Sequence, residues 1–65
     1  MRIARQTRAN VALRYALALI RTTDRYLAGY MARATWDRHM KHLWACVEAR
    51  GLRAEVVRLV DPLRS

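Results

Sequence analysis

The sequence predicts an all-α fold. An antiparallel helical hairpin, made of a long helix 1 and an amphipathic helix 2, precedes a short third helix, in one domain spanning residues 1–65 and assembled as a homodimer. Three observations carry this. The chain holds only two glycines, Gly29 and Gly51, and one proline, Pro62, against eleven alanines; alanine is the best helix former and the other two are the strongest breakers. Apolar side chains recur at three- and four-residue intervals, the period of a helix face. The β-branched residues are too scattered to line a strand.

The first helix is expected to start near Thr7 or Ala9 and to run on to about Arg33. Thr22, Thr23 and Asp24 offer an earlier stop, since such residues cap helices, but the apolar spacing carries through them. Leu13, Leu17, Ile20, Leu27 and Met31 keep a four-three spacing with Asp24 at the intermediate place. At about 100° per residue, Val11, Tyr15, Leu19, Tyr26 and Tyr30 form a second stripe on another face. A helix apolar on two faces is sandwiched between layers, so these five residues are expected against a second subunit or another protein. The alternative is cover by the chain's own third helix and N-terminal arm.

Helix 2 is bounded by Thr35 as N-cap and Gly51 just past its C-terminus, with Asp37 near the positive end. Trp36, Met40, Leu43, Trp44 and Val47 make one apolar arc, expected to pack on Leu13, Leu17, Ile20, Leu27 and Met31. Asp37 and Lys41 are spaced as a weak surface ion pair. The short turn at 33–35 makes the two helices antiparallel neighbours. The third helix is expected from about Arg53 to Val60, with Leu52, Val56, Leu59 and Leu63 on its inner edge and Pro62 ending it.

Sixty-five residues bury little core; a scaffold of this size rarely exceeds about 3–5 kcal/mol of net stability without a staple. Cys46 is the sole cysteine, so no intrachain disulfide supplies one. A partner subunit is the favoured alternative. No stretch approaches the roughly 20 apolar residues of a membrane span. The first 23 residues, arginine-rich and acid-free, resemble a transit peptide in composition; cytoplasmic residence is the default expectation.

The net charge is +8, and twelve of the thirteen basic residues are arginine. Arginine binds phosphate and carboxylate bidentately, and a balance this basic favours anionic partners. A GC-rich genome, which raises arginine and alanine together, is an alternative source of the arginine excess but leaves the shortage of acids unexplained. The charge is uneven. Residues 1–23 carry five arginines and no acid; residues 24–65 carry eight basic and five acidic side chains. The candidate phosphate contacts are Arg2, Arg5 and Arg8 on a basic N-terminal arm (residues 1–7) and at its junction with helix 1, with Arg14, Arg21 and Arg25 along that helix. A solvated basic face is the competing interpretation of these six.

Catalytic chemistry finds little support. Glu48 and Glu55 are the only glutamates, Ser65 the only serine, and two isolated glycines make no phosphate loop; no enzyme activity and no cofactor are expected. His39, His42 and Cys46 are spaced as possible zinc ligands on one helix, but three ligands leave a tetrahedral site incomplete, so the set is a weak metal candidate. His42 and Cys46 as a thiol–base pair lack a third group. A helix-turn-helix with Gly51 at the turn fits in part: Val47 stands where a small residue is wanted, Arg50 where an apolar one is, and Pro62 shortens the second helix. A ribbon-helix-helix with residues 2–8 as strand lacks alternation. Two functions remain. One is a small non-enzymatic DNA- or RNA-binding or regulatory protein that grips the phosphate backbone through arginines. The other is a protein-interaction module, an adaptor or inhibitor docking on an acidic protein surface. A peripheral membrane binder is a weaker third, because the basic helix is needed for packing.

Overall fold

The computed structural model describes residues 7–64, with side chains through Asp61. Over that span it forms three helices: α1, Arg8–Leu27; α2, Arg33–Ala49; α3, Arg53–Arg64.

Thr7 starts α1. Its backbone is extended and its hydroxyl accepts a hydrogen bond from the Asn10 N–H at 3.1 Å, satisfying one of the free donors of the first turn. The Thr22 hydroxyl donates to the Ala18 carbonyl at 2.7 Å, so Thr22–Asp24 sit inside an unbroken helix. The helix stops at Leu27, not near Arg33. Gly29 takes φ +87°, the Gly29 N–H donates to the Tyr26 carbonyl and the Tyr30 N–H to that of Arg25. This left-handed closure turns the chain and satisfies the terminal carbonyls.

The second helix ends in the same way. Gly51 has φ +67°, its N–H donates to the Glu48 carbonyl, and the Leu52 N–H donates to that of Val47. Leu52 and Val47 are both buried, the apolar contact that accompanies this cap. At the other end α2 begins two residues before the expected cap: Ala32 is the N-cap, without a side-chain bond, and Thr35 lies in the first turn. The third helix continues through Pro62 to Arg64 rather than stopping before it. Pro62 cannot donate to the Arg58 carbonyl, but that missing bond falls in the last turn.

The contacts between α1 and α2 run in opposite order along the two helices. Trp36, near the start of α2, stacks on Tyr26 and donates from Nε1 to the Thr23 hydroxyl at 3.2 Å. Arg50, past its end, donates from Nε to the Tyr15 hydroxyl at 3.0 Å. The start of α3 meets the start of α1 through Glu55 and Arg8.

The core is Ala12, Ala16, Leu19, Val47, Leu52, Val56 and Val60, with Val11, Tyr15, Met40, Leu43 and Trp44 packed on its edge. The face of α1 that points inward is therefore not the expected one. Leu13 and Leu17 are 46% and 38% exposed and Leu27 is 74% exposed; Ile20 and Met31 are half-buried. Met40, Leu43, Trp44 and Val47 of the α2 arc do turn inward, against the core that holds Ala12, Ala16 and Leu19, while Trp36 meets Tyr26 and Thr23. Small side chains at the centre of α1 let two helices approach it closely, and a periodicity that counts only large apolar residues passes over the alanines.

Candidate nucleic-acid interface

The arginines divide into those engaged within the chain and those that are not. Arg8 is engaged: its Nε and Nη2 donate to Glu55 Oε2 at 3.0 and 2.6 Å, and Nη2 also donates to the Gly51 carbonyl at 2.7 Å. One guanidinium thus ties the start of α1 to the α2–α3 turn and to α3. The Arg8 hydrogen bond, above all, holds the Glu55 carboxyl below its ordinary range. The Glu55 backbone N–H adds to this; burial opposes it, and the charges of Arg8 and Arg58 contribute less. Arg50 lies over the Tyr15 ring, Arg53 over Trp44 and Arg33 over Trp36. Arg53 also approaches Glu48 at 3.4 Å. These cation–π contacts cover the aromatic edges of the core.

Arg14, Arg21 and Arg25 are different. They lie on α1 at i, i+7 and i+11, within about 40° of one another and over about 16 Å of axis, on the side away from Ala12, Ala16 and Leu19. All three are exposed, and none has an ion pair among the described residues. Asp24 is the one acid of α1. The result is a straight basic ridge of exposed side chains. Arg2 and Arg5 lie outside the described residues. Arg38, Lys41 and Arg58 are further exposed cations on α2 and α3, not singled out from the sequence because they share no stripe with the α1 set.

The five residues expected at a partner interface differ in their exposure within the chain. Leu19 is 2% exposed in the chain alone, Val11 and Tyr15 pack on the core edge, and Tyr26 stacks on Trp36 with ring centroids 5.0 Å apart. Within the single chain Leu19 is thus buried, while Val11, Tyr15 and Tyr26 are half-buried against the chain's own other helices. Only Tyr30, beyond the end of α1, stays open, at 86% exposed.

Cys46 Sγ lies 3.7 Å from His42 Nε2, while His39 is exposed. No group of three His, Cys, Asp or Glu able to hold a metal forms among the described residues. In the segment of the helix-turn-helix reading, the exposed residues of α3 are Arg53, Ala54, Arg58, Leu59 and Asp61; of the two basic ones Arg53 lies over Trp44, and Arg50 at the turn is drawn to Tyr15. A groove of about 520 Å³ opens between the helices, lined among others by Ile20, Asp24, Leu27, Trp36, Met40 and Trp44. The sequence signal for it was the pair of tryptophans two turns apart on one face.

No helix among the described residues is long and apolar enough to cross a membrane. Comparisons with protein-family models, with curated proteins and with solved structures return no match to this chain.

Proposed function

We propose that the chain is a small, non-enzymatic, regulatory nucleic-acid-binding protein, built on an antiparallel helical hairpin and working as a homodimer. It captures the phosphate backbone of DNA or RNA through Arg14, Arg21 and Arg25. The observation that supports this reading is the division of the arginines: four are engaged with Glu55, Tyr15, Trp36 and Trp44, while the three on the outer face of α1 are aligned and without an ion pair among the described residues. Aligned guanidinium groups release condensed counterions on contact with phosphates, giving affinity without sequence choice. The test is binding of the folded protein to a labelled duplex and to a labelled single strand at about 50 mM salt. Saturable binding that weakens steeply with salt is expected; no binding by a folded sample refutes the reading.

The groove beside Trp36 and Trp44 favours a second reading, a protein-interaction module docking on an acidic surface. It predicts a tight complex with one acidic protein that survives nuclease treatment, together with nucleic-acid binding that is weak, non-saturable and indifferent to which arginines are removed.

A further inference from the structure

One aromatic ring stands apart from the rest. Tyr26 and Trp36 stack on each other, Tyr15 lies under Arg50 and Trp44 under Arg53. Tyr30 is 86% exposed, and among the described residues no ring stacks on it and no cation lies over it. Its backbone is nevertheless fixed. The Tyr30 N–H donates to the Arg25 carbonyl at 2.9 Å and the Gly29 N–H to that of Tyr26 at 3.1 Å. The end of α2 closes by the same two bonds, Leu52 to Val47 and Gly51 to Glu48, each at 3.0 Å. This closure draws the residue after the glycine back to the third-last residue of the helix, and the two commonly pack. At the end of α2 that pair is Leu52 and Val47, both in the core. At the end of α1 it is Tyr30 and Arg25, both exposed, and Arg25 is the last arginine of the ridge. The fold uses the first pair for packing and leaves the second outside.

We propose that Tyr30 is a stacking platform for an unpaired base, so that the ligand of the ridge is single-stranded nucleic acid. This rests on the reading of Arg14, Arg21 and Arg25 as phosphate contacts. The arginines hold the sugar–phosphate backbone, and a base turned out from it lies on the Tyr30 ring. Single strands expose the faces of their bases, whereas a duplex keeps them stacked inside, so an aromatic platform adds affinity for the single strand alone. Every base has such a face, and stacking therefore makes no more sequence choice than the phosphate contacts do. The surrounding charge agrees. Arg33, exposed at the start of α2, follows Tyr30 in the chain. Asp24, the one acid of α1, lines the groove with Trp36 and Met40, on a different side of the helix from the ridge.

Anisotropy titrations of the full chain test this with three labelled probes: an oligothymidylate, an abasic strand of the same length, and a duplex of that length. The oligothymidylate and the abasic strand carry the same phosphates and differ in their bases. The wild type should bind the oligothymidylate about tenfold or more tighter than the abasic strand. Tyr30→Ala should weaken oligothymidylate binding about tenfold, leave abasic and duplex binding unchanged, and keep the salt slope, because no phosphate contact is lost. Tyr30→Phe retains the ring and should bind like the wild type. Circular dichroism should show both variants folded, since the altered side chain is exposed. A wild type that does not distinguish the oligothymidylate from the abasic strand overturns the platform while leaving phosphate capture standing. So does a Tyr30→Ala variant that binds the oligothymidylate as the wild type does, or that weakens on all three probes alike. A folded wild type that binds none of the three overturns both.

Discussion

Leu19→Ala and Leu17→Ala remove the same three carbons from one helix two positions apart, yet they should differ severalfold in cost. Leu19 is 2% exposed and belongs to the core; Leu17 is 38% exposed and faces out. Complete burial of three carbons corresponds to about 2.4 kcal/mol of transfer. A closed cavity adds to this at Leu19, within the roughly 2–5 kcal/mol seen for buried Leu→Ala changes. Leu17 loses only part of the transfer and leaves no cavity, so about 1 kcal/mol is expected. Against a net stability of about 3–5 kcal/mol, the first variant stands at the edge of unfolding and the second does not. Urea denaturation followed by circular dichroism, at a dilution where the chain is monomeric, reads both. A Leu17→Ala cost equal to or above that of Leu19→Ala at high dilution would refute the inward-facing assignment.

Three further outcomes follow from particular contacts. Because Arg8 depresses the Glu55 carboxyl, their pair stabilises the fold above the ordinary glutamate range and loses that contribution as pH falls through the lowered folded-state value. Glu55→Gln should therefore flatten the acid limb of the stability–pH curve, and an unchanged limb would show that the contact adds nothing in solution. Gly51→Ala meets no atom within 4 Å of its new Cβ, so its penalty, about 1–2 kcal/mol by thermal unfolding, should be that of the left-handed backbone alone; a neutral substitution would argue against the turn. Trp44 is half-buried with Arg53 over its ring, so Trp44→Ala should cost less than the roughly 3–5 kcal/mol of a fully buried ring, measured by the same denaturation.

What was legible in the sequence follows from how strong each local signal is. Gly51 marked the end of α2 because it closes an apolar run and permits positive φ. Gly29 carries the same chemistry, but the four-three apolar spacing continues past it to Met31, so spacing and cap point to different ends for α1. Thr35 looked like a cap by residue type; the turn formed at Gly29 brings the chain back into helix at Arg33 instead. The inner face of α1 was hidden because Ala12 and Ala16 are too small to register as a stripe, while Leu13 and Leu17 are large enough to mislead. The alignment of Arg14, Arg21 and Arg25 was readable, since helical phase depends on spacing alone. The engagement of Arg8, Arg33, Arg50 and Arg53 was not: each depends on a partner brought near by packing, as with Arg8 and Glu55, 47 positions apart.

The ridge on α1 is tested most directly by the salt dependence of duplex binding. Each phosphate neutralised contributes about 0.9 to the slope of log affinity against log salt. Replacing Arg14, Arg21 and Arg25 with glutamine should flatten that slope by up to about three contacts' worth while the helical signal is kept. Arg21→Gln/Arg25→Gln alone should lose about two contacts' worth. A slope unchanged by the removal of Arg21 and Arg25 would contradict the assignment of phosphate binding to this ridge.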